Sequence, residues 1–101
     1  MKKVINGRMY NTETAGWIAE TGNNLGKSDF HWEEEDLYQK KTGEFFLAGR
    51  GGALSKYGEG DGRYLWGSSQ IIPLSMDEAK AWVEEHCSAD RYIEVFGEPE
   101  E

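Results

Sequence analysis

Side chains that could carry out catalysis are few in this chain and poorly spaced for it. Its two histidines are His31, between Phe30 and Trp32, and His86, which precedes the single cysteine, Cys87. Adjacent residues on a helix diverge by about 100°, so His86 and Cys87 do not form the separated ligand pair that tetrahedral zinc requires, and their adjacency does not make a nucleophile–base pair. Carboxylates are abundant, but a glycosidase pair needs a fixed separation across a cleft, and a small domain supplies little cleft. Gly49-Arg50-Gly51-Gly52 lacks the Lys-Ser/Thr ending of a phosphate-binding loop, and it follows an extended segment where a helix would have to begin at once. It reads as a mobile connection. These residues predict no catalytic group, no metal site and no cofactor, and therefore a protein that is not an enzyme.

Recognition chemistry is better represented. Trp17, Trp32, Trp66 and Trp82 accompany Tyr10, Tyr38, Tyr57, Tyr64 and Tyr92, and most of these must build the core of so small a domain. Tyr57, Tyr64 and Trp66 follow the Arg50 loop and neighbour Glu59 and Asp61. Exposed there, they would join aromatic anchors to charge steering, as protein-binding hot spots do. Asp77, Glu84 and Glu85 lie on a helix further along and would extend the acidic surface. The expected protein-binding set is thus Tyr57, Glu59, Asp61, Tyr64, Trp66, Asp77, Glu84 and Glu85.

The charge balance points the same way. The chain carries 11 basic and 19 acidic residues, a net charge of −8. Residues 1–50 hold seven basic against eight acidic side chains, and residues 51–101 four against eleven. Such a field favours a basic partner protein and opposes nucleic-acid phosphates. Direct nucleic-acid binding would need a basic patch, which Lys2, Lys3, Arg8, Lys40 and Lys41 provide only if the fold assembles them. Met1-Lys2-Lys3-Val4-Ile5 runs at once into Asn6-Gly7 without an apolar leader, and no apolar run is long enough to span a membrane. One cysteine allows no intrachain disulfide. A cytoplasmic protein without membrane contact is the expectation.

The elements that must position these residues read as one α+β domain over residues 1–101, with a frayed acidic tail at 97–101. A central hairpin runs from Glu33 to Gly52 and turns at Lys40-Lys41-Thr42-Gly43. Its Glu33-Glu34-Glu35-Asp36 run predicts a solvated face or a sheet edge. Lys3 to Tyr10 reads as a short hairpin turning at Asn6-Gly7. Asn11 or Thr12 would cap a helix through Ala15, Trp17 and Ile18 to about Glu20, ended by Thr21-Gly22-Asn23-Asn24. Ala53 to Tyr57 reads as a turn or one helical turn. Tyr64 to Trp66 and Gln70 to Ile72 give a third strand, broken near Gly67-Ser68-Ser69 and closed by Pro73. Ser75-Met76-Asp77-Glu78 is a capping box that opens an amphipathic helix with Met76, Ala79, Trp82, Val83 and His86 on its packing face. Tyr92, Ile93, Val95 and Phe96 form a second apolar patch that reads as a short helix in preference to a strand, because Ser88 or Asp90 can cap it. The expected architecture is a small antiparallel sheet on the central hairpin, packed by the helix of the C-terminal half, with a short N-terminal hairpin and helix.

The chain also resembles a family of small uncharacterised proteins encoded by conjugative elements, plasmids and prophages of Gram-positive bacteria. The likeness rests on Lys3 to Ala15 (KVINGRMYNTETA), on Leu37-Tyr38 with Lys41 to Leu47 (KTGEFFL), and on Gly51 to Tyr57 (GGALSKY). It continues through Ile71 to Ser75 (IIPLS) into Ala79, Ala81-Trp82 and Glu84-Glu85-His86. The resemblance implies a mobile-element protein, and such elements carry small, acidic, non-enzymatic inhibitors of host defence, anti-CRISPR proteins among them. It thereby implies an inhibitor whose carboxylates imitate nucleic acid toward a basic nuclease complex. It supplies no catalytic residues. The competing expectation is a structural or regulatory domain that forms a homodimer through an exposed sheet edge.

Overall fold

A computed structural model describes residues 1–101. The first hairpin pairs β1 (Lys2–Ile5) with β2 (Arg8–Asn11). Asn6 and Gly7 take φ of 51° and 77°, the two positive values that a type I′ turn requires.

The helix expected after Asn11 is not formed. Asn11 does cap a single turn: its Oδ1 accepts from the Glu13 N–H at 2.9 Å, and its carbonyl accepts from the Ala15 N–H at 3.1 Å. The chain then extends as β3 (Gly16–Gly22). A glycine at each end and the β-branched Ile18 and Thr21 weaken a helix here, whereas pairing with the next strand satisfies the backbone and buries Ile18 and Ala19. A register shift between Trp17 and Ala19 lets these consecutive residues share the core, while Trp17 stays on the opposite face.

The central hairpin forms as expected from β4 (Glu33–Gln39) and β5 (Phe45–Gly51), with Gly43 at φ 96° in the turn. A two-strand ribbon, β6 (Glu59–Gly60) with β7 (Leu65–Trp66), follows, and β8 (Ser68–Leu74) completes the main sheet. The antiparallel order is β3-β4-β5-β8. Three expectations change. The acidic run lies on an interior strand, with Glu35 and Asp36 only 5% and 8% exposed. Gly49-Arg50-Gly51 is the paired end of interior strand β5 and not a mobile connection. The break before β8 is Gly67 alone, and Pro73 sits within β8, where an edge strand tolerates the missing donor.

The capping box is formed at α1 (Met76–His86): the Glu78 N–H donates to Ser75 Oγ at 3.1 Å and the Ser75 N–H to Glu78 Oε1 at 2.9 Å. Ser88 caps α2 (Ala89–Phe96). Ala79, Trp82 and Val83 pack with Ile18, Ala19, Leu37, Phe45 and Leu47 on one face of the sheet. Met76 belongs to the solvent at the first turn, and His86 packs against Trp82 with ring centroids 4.9 Å apart and planes tilted by 54°. On the other face Tyr10, Phe46 and Ile71 gather Ile5, Ala15 and Tyr38, so the N-terminal hairpin covers the half of that face nearest the β4–β5 turn. The other half stays open.

Both sheet edges are blunted against strand addition. Arg91 donates Nε and Nη2 to the Ile18 carbonyl of β3 at 3.1 and 2.5 Å, and Pro73 interrupts β8. No helix is long and apolar enough to cross a membrane.

Gly49 admits the ring of Tyr57 against β5: a Cβ added there would fall 2.0 Å from Tyr57 Cζ. Gly49→Ala should therefore lower stability by about 1–3 kcal/mol through overpacking. Gly26→Ala, with nothing within 4 Å, should stay within about 0.5 kcal/mol of wild type. Denaturant midpoints test the pair, and equal midpoints would contradict the packing of Tyr57.

Candidate functional site

The four consecutive carboxylates of β4 alternate between the two faces of the sheet, because a strand has a two-residue side-chain period. On the helix face, Glu35 is the junction between layers. Its Oε1 accepts from the Trp82 indole of α1 at 3.0 Å, its Oε2 meets the Lys56 ammonium at 2.7 Å, and the Tyr57 hydroxyl donates to the same oxygen. Burial alone would push this carboxyl up. The hydrogen bonds from Lys56, Tyr57 and Trp82 outweigh it and hold the group below its ordinary 4.5. The Tyr57 phenol is displaced upward from 10.0 by burial and by the carboxylate it serves. Glu33 anchors the same loop by accepting from the Lys56 N–H at 2.7 Å.

On the open half of the other face, Glu34 and Asp36 clamp Arg50 of β5. Arg50 donates Nη2 to Glu34 Oε2 at 2.6 Å and Nη1 to Asp36 Oδ2 at 3.1 Å. The remaining oxygens accept from tryptophans: Trp17 Nε1 to Asp36 Oδ1 and Trp32 Nε1 to Glu34 Oε1, each 3.1 Å. A continuous row Trp17, Asp36, Arg50, Glu34, Trp32 thus crosses β3, β4 and β5. The Trp32 indole and the Arg50 guanidinium hold Glu34 below its ordinary value, with the indole contributing most. The row is fixed by charge-assisted bonds yet open to contact, since Trp17 is 55% exposed and Arg50 has a third of its side chain in solvent.

The row leads into a groove of about 490 Å³ lined by Phe30, Trp32, Arg50, Leu65 and Trp66. Backbone bonds from the Gly52 N–H to the Trp32 carbonyl (2.8 Å) and from the Leu54 N–H to the Phe30 carbonyl (2.7 Å) hold its wall. Its floor depends on Gly67, where an added Cβ would lie 2.4 Å from the Gly51 carbonyl oxygen. Phe30, Leu54, Tyr64 and Leu65 are each at least half exposed. Together with Trp66 they make an apolar rim that a monomer does not need for its core.

The fold assembles half of the residues expected to bind. Glu59, Asp61, Tyr64 and Trp66 share the β6–β7 ribbon: Glu59 is in register with Trp66, and Asp61 Oδ1 accepts from the Arg63 and Tyr64 N–H groups at 2.9 and 2.8 Å. Tyr57 is excluded as a surface anchor. It is 1% exposed, because its ring lies over Gly49 and its hydroxyl serves Glu35. Asp77, Glu84 and Glu85 are exposed on α1 but do not join the ribbon. Asp77 begins the helix, beside the strand ends next to the β4–β5 turn; Glu84 lines a depression between α1 and α2, and Glu85 another with Glu33 and Lys56. Sequence reasoning missed Trp17, Phe30, Trp32, Glu34, Asp36, Arg50 and Leu65. One signal was available for the row, Arg50 and the acidic run as opposite charges on paired strands, but reading it needed the register. No group of three or more His, Cys, Asp or Glu residues is arranged to hold a metal ion.

Stability should follow these carboxylates as pH changes. The folded state holds Glu34 and Glu35 below 4.5, so the unfolded chain binds more protons in acid, and their contribution is present above pH 4.5 and lost as pH falls through the folded values. Glu35→Gln presents an amide to donors that need an acceptor, and should cost about 1–3 kcal/mol at pH 7. Its thermal midpoint should then vary less steeply between pH 5 and pH 3 than that of wild type, within roughly the acid window set by these groups. Parallel melting curves across that range would contradict the role given to Glu35. No known protein family, curated protein or solved structure matches the chain, so the reading of its open face rests on geometry and charge.

Proposed function

We propose that this is a non-enzymatic binding protein that docks on a basic partner through the open half of its sheet, and inhibits a host-defence or nucleic-acid-handling complex. The observation that carries the reading is the Trp17–Asp36–Arg50–Glu34–Trp32 row running into the rim of Phe30, Leu65 and Trp66. Tryptophan, tyrosine and arginine supply most hot-spot energy, and a surface already locked by hydrogen bonds loses little entropy on docking. Arg50 is offset by two carboxylates, so the row itself is acidic, and Glu59 and Asp61 extend that sign along the rim. These charges steer a basic partner, while the aromatic side chains supply the affinity. The inhibitor class, with anti-CRISPR activity as one form of it, is the role proposed for such a face, on the expectation of a mobile-element origin drawn from the sequence alone. Carboxylates then stand where a partner's channel receives phosphates.

The test is affinity capture from a host lysate, followed by competition with nucleic acid for the captured protein. Leu65→Ala/Trp66→Ala removes two exposed side chains and should leave the melting temperature near wild type while weakening partner binding by about 30-fold or more. Glu84→Lys/Glu85→Lys should weaken it less, because α1 lies on the other face. A partner displaced by nucleic acid and lost in the first variant supports the proposal. Retention by that variant would remove this face from the mechanism.

A further inference from the structure

Five basic residues, Lys2, Lys3, Arg8, Lys40 and Lys41, come together at one end of the fold. Arg8 of β2 meets Glu44 at 3.1 Å, and Lys40 reaches the same carboxylate at 3.4 Å. Lys40 also lies over the ring of Tyr10 at 4.2 Å, and Tyr10 is in register with Lys3. The terminal ammonium donates to Thr12 Oγ1 at 3.0 Å and so stays beside the hairpin. The N-terminal hairpin and the β4–β5 turn therefore form one surface.

Elsewhere Lys27, Arg63 and Lys80 stand singly, each over an aromatic ring. Arg50, Lys56 and Arg91 are each tied to carboxylates. On the hairpin and the β4–β5 turn the acidic side chains are Glu13 and Glu44, Glu44 is already shared by Arg8 and Lys40, and Asp77 and Glu78 begin α1 on the far face of the sheet. Lys2, Lys3 and Lys41 are exposed and make no ion pair within the chain.

We propose that this basic end docks on the phosphodiester backbone of nucleic acid, as a second contact surface separate from the aromatic face. The net charge of −8 does not forbid it. Hairpin and α1 lie on opposite faces of the sheet, so Lys41 in the β4–β5 turn stands about one layer, roughly 10 Å, from the helix carboxylates, and the hairpin lysines Lys2 and Lys3 about two layers, roughly 20 Å. These are more than one and more than two Debye lengths at physiological salt, about 8 Å each. A duplex touches the molecule along a narrow strip and feels mainly the near cations. An anionic bilayer is broad and would also face the acidic remainder, and this end offers it only Met1, Val4 and Met9 as exposed apolar groups. Lysines on flexible stems and no aromatic platform suit backbone contact without base readout.

The test is fluorescence anisotropy with a labelled 20-base-pair duplex, roughly two turns of DNA, titrated from low to physiological salt. Wild type should bind weakly, in about the 10⁻⁴–10⁻⁶ M range, with a log–log salt slope near −3 for about three phosphates. Lys2→Glu/Lys41→Glu should lose most binding and shed about two units of that slope. Arg63→Glu/Lys80→Glu changes the net charge equally at positions away from the hairpin, and should bind like wild type. Equal losses in both variants would overturn the proposal by reducing the effect to net charge, as would the absence of duplex binding at low salt. Sedimentation with phosphatidylserine vesicles provides the other arm: vesicle binding that depends on Lys2 and Lys41, with duplex binding that does not, would also overturn it. Since the protein-capture experiment uses side chains on another face, either result can fail without the other.

Discussion

Four consecutive carboxylates on an interior strand are stable only if every one of them is answered, and this requirement organises the molecule. An ionised carboxylate loses several kcal/mol of hydration on burial unless hydrogen bonds and opposite charge replace it. Glu35 obtains these from two separate places: the helix through Trp82, and the loop after β5 through Lys56 and Tyr57. One side chain thereby fixes the depth of α1 on the sheet and the path of residues 53–57. Its neighbours Glu34 and Asp36 do the same for the opposite face through Arg50, Trp17 and Trp32. Removing any single donor leaves the others, so the arrangement is redundant for position while remaining strict about charge.

Local signals in the chain were reliable where the physics is local. Asn6-Gly7, Gly43, the Ser75–Glu78 box and the Ser88 cap each act within four residues, and each forms as its residue types dictate. The misreadings lie where a distant partner decides. Asn11 caps a turn in both readings, but whether residues 16–22 continue as helix or strand depends on β4, which follows ten residues later. The run at 33–36 resembles an edge because self-repulsion is visible in the sequence, whereas Arg50, Lys56 and the indoles that offset it are not adjacent to it. Gly49 and Gly51 look like a flexible connection for a similar reason: the ring and hydroxyl that fill their missing side-chain space belong to Tyr57 and Ser55. Of the proposed recognition surface, the aromatic and acidic residues of the β6–β7 segment are visible in the sequence, but the ribbon that pairs them reads there as part of the third strand. The row beside it is not visible there, since it exists only in register.

The sheet divides recognition from support. One face is consumed by α1 and α2, and half of the other by the N-terminal hairpin, so the exposed half is framed by structured elements on each side. An apolar rim on such a frame keeps its shape without a partner. The same partition biases charge: Lys2, Lys3 and Lys41 stand unpaired on the hairpin and the β4–β5 turn, while carboxylates dominate the helices and the ribbon. The two surfaces proposed for docking are thus of opposite sign on one chain of 101 residues.

The indole protons divide in the same way as the layers. Trp82 gives its proton to the seam between helix and sheet, Trp17 to the β3–β4 pair, and Trp32 to the groove wall, while Trp66 gives its proton to no group of the chain. Each is a separate resonance in a nitrogen–proton spectrum, and charge-assisted bonding shifts the first three away from the fourth. The molecule therefore carries four internal labels, one for each region whose closure or opening matters. Solvent exchange at Trp66 marks the free groove, and slow exchange at Trp82 marks the intact core.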